Sequence, residues 1–294
     1  METLSVLRFD RFSAYLRLMR LHRPIGSLLL LWPTLWALWI ASAGHPRPVL
    51  VAVFVAGVLL MRSAGCVIND YADREVDPHV WRTKTRPLAV GEVTAREALG
   101  LFVVLCLLAA GLAFWLNAFT IELAVVAVVL AASYPFFKRF THLPQVYLGL
   151  AFGWGIPMAF AAETDHVPAT AWVLLAANIF WTIAYDTAYA MADRDDDLKI
   201  GVKSTAILFG DWDRVMVAGS HIVALGLLYG VGVMAGLGRL YDAGLGLAAG
   251  FALYEQRLLY ARRPLDCFHA FLNNNWFGGS VFAGLVAAYL GRSL

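Results

Sequence analysis

The sequence predicts an all-α integral membrane protein, with about nine transmembrane helices in one bundle around a central cavity and a cytoplasmic polar cap. Three observations carry this expectation. Apolar residues make up 60% of the 294-residue chain, charged residues only 15%, and the mean hydropathy is +0.66. Soluble domains are about 45–50% apolar and about 25% charged. The apolar residues gather into long stretches, and the basic residues fall almost wholly on one side of them. No polar stretch is long enough to be a soluble domain, so residues 1–294 read as one membrane-embedded unit.

The first element, residues 1–23, alternates arginine with apolar residues and has no small-residue cleavage site before Pro24. It reads as an interfacial amphipathic segment rather than a signal peptide. A span needs about 20 mainly apolar residues. Nine stretches approach or meet that: 24–43, 49–70, 98–116, 118–136, 145–163, 168–190, 214–236, 240–259 and 273–291. Two joints are tight, one around Asn117 and one around Gly236–Arg239, and eight spans result if either pair is misread. With nine, the N-terminus and the segments near 71–97, 137–144, 191–213 and 257–272 share one side. Nineteen of the 23 Lys and Arg residues lie there, counting Arg214 at the edge of the seventh span, against Arg47, Arg239 and Arg292 opposite and Arg62 within a span. That asymmetry places the long loops in the cytoplasm. Cys66, Cys106 and Cys267 are scattered in or beside apolar stretches and suggest neither disulfides nor a zinc site.

The two longest loops carry most of the chemistry. Ala-Asp-Arg-x-x-Asp occurs at Ala72–Asp77 and again at Ala192–Asp197, each time where an apolar stretch ends. Asp70, Asp73, Glu75 and Asp77 with Asp186, Asp193, Asp195, Asp196 and Asp197 make nine of the 21 acidic residues. Acids beside hydrocarbon are unfavourable unless paired, hydrated or bound to a cation. If each stretch continues as a helix, Asn69, Asp73 and Asp77 share one face at i, i+4 and i+8, and Pro78 ends that helix. Asp186, Tyr189, Asp193 and Asp197 share a face at i, i+3, i+7 and i+11. Asp70 and Asp196 point elsewhere and join only through a bend or a second metal. Stacked carboxylates on two facing helices repel unless a cation lies between them. Oxygen-only donors favour Mg²⁺, with Mn²⁺ as the alternative, and Mg²⁺ is commonly shared with substrate phosphates. A phosphate or diphosphate is therefore the expected third party.

Basic residues are interleaved where such an anion needs them: Arg82, Lys84 and Arg86 after the first cluster, Lys199 and Lys203 after the second, Lys138 and Arg139 between. Anchoring at the lipid surface is the competing explanation for each. Arg62 differs, lying inside the second span seven residues before Asn69 on the same face. It reads either as a contact to an anionic substrate group or as an internal ion pair. His22, His142 and His166 lack a helical partner histidine and read as interfacial. The tryptophans at 32, 36, 39, 154, 172, 181 and 276 suit aromatic belts or lipid contacts.

These residues resemble the UbiA-type intramembrane prenyltransferases. The resemblance rests on Asn69-Asp70-x-x-Asp73-x-x-x-Asp77 followed by Arg82-Thr83-x-x-Arg86-Pro87-Leu88. It rests equally on Tyr185-Asp186-Thr187-x-Tyr189-Ala190-x-x-Asp193-x-x-Asp196-Asp197 followed by Gly201-x-Lys203-Ser204-Thr205. Arg20-Leu-His-Arg23-Pro24-Ile-Gly26 extends it to the first span. Tyr134-Pro135-Phe136-x-Lys138-Arg139-x-Thr141-His142-Leu143-Pro144-Gln145, Lys203–Gly210 and Asn273-Asn-Asn275 look most like the bacterial 4-hydroxybenzoate polyprenyltransferases of ubiquinone biosynthesis.

The resemblance implies transfer of a polyprenyl group from its diphosphate to the ring carbon ortho to the hydroxyl of 4-hydroxybenzoate. It implies Mg²⁺ on Asn69, Asp73, Asp193 and Asp197, and substrate contacts from Arg62, Arg82, Arg86, Lys138, Arg139, Tyr189 and Lys203. Asp186, Asp70 and Asp77 are the candidate catalytic carboxylates. Asp186 is the expected base, with departing diphosphate as its rival; Arg139 or Arg62 meets the acceptor's carboxylate. The implied setting is the bacterial inner membrane, with the site facing the cytoplasm. The lipid bilayer is the implied surrounding partner, with no nucleic acid and no obligate protein partner. Prenylation of another aromatic acceptor is the nearest alternative. A polytopic transporter is the rival from another class, and it predicts acids at the midplane rather than at the membrane boundary.

Overall fold

A computed structural model describes residues 11–75, 77–79, 83–141, 143–201 and 203–292. All the regular structure among them is helical. After α1 (11–18) come α2 (Ile25–Ala41), α3 (Pro48–Ala72), α4 (Ala95–Gly111), α5 (Ala118–Phe140), α6 (Pro144–Gly153), α7 (Gly155–Thr164) and α8 (Ala169–Ile200). The short α9 (Thr205–Phe209) precedes α10 (Asp213–Met234), α11 (Arg239–Leu258) and α12 (Pro264–Leu290).

Four helical segments are long and apolar enough to cross a membrane: Pro48–Ala72, Ala95–Trp115, Pro144–Thr164 and Thr205–Met234. Ile25–Ala41 and Ala118–Tyr134 are shorter apolar helices. The other expected spans fall on α8, α11 and α12. The chain is thus a multi-pass membrane protein, whose apolar faces suit hydrocarbon better than water.

The joints explain the boundaries. Asn117 caps α5 by accepting a hydrogen bond from the Thr120 N–H (2.8 Å), and its own amide donates to Ala161 O (2.7 Å). The stretch expected as one span over 145–163 is broken at Trp154 into α6 and α7. Pro157 has no N–H to offer the Gly153 carbonyl, which interrupts the helical ladder there. The last helix starts at Pro264, nine residues before the expected start at 273. Proline suits the first helical turn, and Asp266 follows it there, so residues expected as loop are helix.

The chain forms two compact units. One comprises residues 1–27 and 55–115; the other comprises 28–54 and 116–294. In the first, Ala14 and Leu18 of α1 are buried with Ala64 and Val67 of α3, Val93, and Ala98 and Leu105 of α4. The described part of the expected interfacial segment therefore carries core residues. In the second, α8, α10 and α12 share a core of Ala184, Ala188, Val217, Cys267 and Ala270. α11 and α12 meet through glycine: a Cβ on Gly244 would lie 2.7 Å from the Gly284 Cα, so no side chain fits there.

Polar side chains tie the second unit together inside its apolar core. Asn274 takes the Trp181 indole N–H (2.8 Å) and donates to Glu255 (3.0 Å), which also accepts from Asn273 (2.9 Å). Asn275 takes the Trp32 indole N–H (3.0 Å). The Asn273–Asn275 triplet is therefore a structural clasp between α2, α8, α11 and α12, a role its sequence did not reveal.

Candidate active site

The first cluster begins on α3 and leaves it. The α-helix ends at Ala72, short of Pro78 where it was expected to end. Two helix-like bonds persist, from Asp73 N–H to Asn69 O (2.9 Å) and from Asp77 N–H to Asp73 O (2.8 Å). Asp77 opens the 3₁₀ turn Asp77–His79. Asn69 and Asp73 are half-buried, and the Asn69 amide donates to Asp73 Oδ2 (3.2 Å), so one carboxylate oxygen and the amide are held together.

Asp70 and Asp77, expected among the catalytic carboxylates, are instead buried in ion pairs. Asp70 is 1% exposed and accepts from Arg20 Nη2 at 2.8 and 3.0 Å. The Arg86 Nη1 lies 3.0 Å from Asp70 and binds both oxygens of Asp77 at 3.0 and 2.8 Å. Thr83 Oγ1 donates to Asp77 O (2.9 Å), closing the loop on itself. Arg20, Asp70, Arg86 and Asp77 thus form one network. Arg20 was not among the expected site residues, although the Arg20–Gly26 motif had marked its neighbourhood. This end of the unit carries a positive field: partial desolvation, then Arg23, Arg20 and Arg17, hold His22 below the usual histidine range.

The second cluster stays on one helix. α8 runs 32 residues to Ile200 and ends at Gly201, whose positive φ of 73° lets its N–H reach back to Asp197 O. At about 1.5 Å per residue α8 is about 48 Å long, against about 30 Å of hydrocarbon, so its last turns can stand clear of lipid. Asp186, Tyr189, Asp193 and Asp197 are half-buried along this helix, in the expected register. Tyr189 lies edge-on to Phe271, with ring centroids 4.9 Å apart. Lys203 is half-buried in the loop that follows. Asp195 is exposed, and Asp196 pairs with Lys199 (3.0 Å).

This cluster has its own clamp. Arg194 turns inward to the fully buried Asp213 and to Ala206 O (2.9 Å). Arg262 reaches the same carboxylate (2.9 Å), and the Arg214 N–H donates to it (2.6 Å). Arg194 and Asp213 were missed in the sequence because nothing in their spacing pairs them. Arg82 lies outside the described residues, as do the side chains of Lys138 and Arg139, whose backbone belongs to α5.

Arg62 is half-buried on α3, and no ion pair engages it among the described residues. Its Nε is buried with no hydrogen-bond partner. That disfavours the internal ion pair as its explanation and leaves a cation poised for an anion. Among the described residues no three His, Cys, Asp or Glu side chains form a ready-made metal cage. Asn69, Asp73, Asp193 and Asp197 nevertheless offer only oxygen, the donor chemistry of Mg²⁺, which takes one or two carboxylates and completes its shell from phosphate or water.

Comparison with known proteins identifies the family and the fold. The profile of the UbiA prenyltransferase family matches residues 30–281. A 4-hydroxybenzoate octaprenyltransferase of Methylococcus capsulatus is 61% identical over 96% of this chain and 96% of its own. One from Nitrosococcus oceani is 59% identical over 96% and 99%. Among solved structures, a UbiA homologue from Aeropyrum pernix K1 has a TM-score of 0.76 at 25% identity, over 90% of this chain and 98% of its own. One from Archaeoglobus fulgidus, bound to GPP and Mg²⁺, has a TM-score of 0.71 at 19% identity, over 92% and 99%. The chain belongs to the UbiA prenyltransferase family.

Proposed function

We propose that this protein transfers an octaprenyl group from its diphosphate to the carbon ortho to the hydroxyl of 4-hydroxybenzoate, releasing diphosphate. The observation that carries this reading is the repeat itself. Asp73 and Asp193 occupy the same position in both copies and are half-buried where apolar segments end. The names of the relatives supply the acceptor and the chain length.

Asn69, Asp73, Asp193 and Asp197 would hold Mg²⁺, or Mn²⁺ in its place, and the ion would neutralise charge on the diphosphate. Lys203, Arg82 and Lys138 donate charge-assisted hydrogen bonds to the leaving oxygens. Arg86 is shared by Asp70 and Asp77, and we assign both aspartates to holding the segment after α3 in place rather than to proton transfer. The allylic carbon–oxygen bond breaks, the ring carbon attacks, and Asp186 takes the ring proton. Arg62 receives the acceptor's carboxylate, and Tyr189 with Phe271 offers aromatic faces to the allylic cation. Water must be kept out, since it would capture that cation. We place all of this in one domain of nine spans in the bacterial inner membrane, at its cytoplasmic face.

Membranes containing the protein, given labelled 4-hydroxybenzoate, a polyprenyl diphosphate and Mg²⁺, should yield a lipid-soluble product that a chelator abolishes. Accumulation of label inside vesicles without a covalent product would support transport instead. No product from folded protein would retire the acceptor assignment.

A further inference from the structure

The seat of Arg62 is set by a residue with no side chain. Gly26, the second residue of α2, is buried against it in the same unit. A Cβ at Gly26 would lie 2.5 Å from Arg62 Nη2, 2.6 Å from Nε and 2.9 Å from Cζ. Comfortable contacts to carbon are about 3.5–4.0 Å, so a single methyl would force the guanidinium to move by roughly 1 Å. The atoms struck are the mobile end of a long side chain, not backbone, so the group can shift without unfolding the helix pair. The glycine is not serving a turn, since its position is helical. What it provides is room for a planar, charged group that no acid pairs with among the described residues.

We propose that Gly26 is a positioning residue for acceptor recognition, whose missing side chain fixes the plane of the Arg62 guanidinium that receives the aromatic carboxylate. The inference rests on the reading of Arg62 given above. A guanidinium recognises carboxylate through two parallel N–H donors, so its plane matters as much as its charge. A displacement of about 1 Å at a positioning group can lower turnover by up to about a hundredfold. The diphosphate does not depend on this seat.

The test is a double-mutant cycle on the full-length protein in membranes, with KM measured separately for 4-hydroxybenzoate and for the polyprenyl diphosphate. Gly26→Ala should raise the acceptor KM about tenfold or more and change the diphosphate KM less than about twofold. In the Arg62→Lys background the same substitution should change the acceptor KM less than about twofold, because a lysine presents no plane to strike. Methyl 4-hydroxybenzoate, whose carboxylate is capped, should be used equally by wild type and Gly26→Ala. Thermal unfolding in detergent should show Gly26→Ala as stable as wild type. Equal losses in both backgrounds, a matching rise in both KM values, or failure of Gly26→Ala to fold would each overturn the proposal. If the wild type itself makes no product from 4-hydroxybenzoate, the proposed function falls first and takes this inference with it.

Discussion

The two copies of Ala-Asp-Arg-x-x-Asp share four of six letters but are folded differently. In the first, Arg74 is exposed over the Tyr71 ring and beside Glu75, while the final aspartate, Asp77, is buried on Arg86. In the second, Arg194 is turned inward onto Asp213, while the final aspartate, Asp197, stays half-buried on a continuous helix. Each unit therefore clamps one part of its loop with buried Asp–Arg pairs but recruits a different letter of the motif. What both copies keep half-buried is the first aspartate, Asp73 in the turn after α3 and Asp193 on α8. Common placement points to shared chemistry, and divergent placement to local folding.

The largest effects should fall on that common position. Asp73→Asn and Asp193→Asn should each lower kcat/KM by at least about 10³-fold, since each removes a charge expected to act at the leaving group. Turnover of labelled acceptor, measured on protein shown to be inserted, would check this. A loss at one site with near-normal activity at the other would break the equivalence of the copies.

Stability should separate the copies next. Arg86→Ala strands the buried Asp77 and weakens the pairing of Asp70, which Arg20 still serves, and should destabilise the protein by about 3–5 kcal/mol. Arg74 is itself exposed and its ion-pair partner Glu75 is exposed too, so Arg74→Ala should stay within about 0.5 kcal/mol. Arg194→Ala should fall between, at about 1–3 kcal/mol, because Arg262 and the Arg214 N–H still serve Asp213. Unfolding in one detergent ranks the three. If Arg74→Ala matched Arg194→Ala, the repeat's arginine would have one role rather than two.

Much of this was legible in the sequence, and the gaps have physical causes. Hydrophobic stretches located the helices because lipid leaves the backbone few alternatives. The second cluster's register was legible because no proline or glycine interrupts α8 before Gly201. The first cluster's register breaks at Ala72, where the α-helix gives way to a turn that the residue pattern does not mark. Pro264 was read as loop although it begins α12. The arginine clamps were invisible because Arg20 and Asp70 are 50 residues apart, and Arg262 and Asp213 are 49. Gly26 was quoted as a letter of a motif, but only coordinates reveal that the space above it belongs to Arg62.

The smallest test concerns how the first unit holds α1. Thr94 caps α4 by accepting from the Glu97 N–H (3.2 Å), and Glu97 returns the bond to the Thr94 N–H (2.8 Å). The same Glu97 carboxylate accepts from Arg11 (2.6 Å) and from the Tyr15 hydroxyl (3.1 Å), so one side chain serves both the helix cap and the α1 contact. Thr94→Ala should remove only the cap, destabilising by about 1 kcal/mol. Glu97→Ala should do that and also loosen α1, making the chain near Arg17 and Arg20 more open to trypsin while the rest resists. Because Arg20 is also Asp70's partner, that loosening should reach the acidic cluster and lower activity in Glu97→Ala but not in Thr94→Ala. Equal activity in the two variants would mean that Arg20 holds Asp70 without help from α1, and that the cluster's clamp is local to the α3 end.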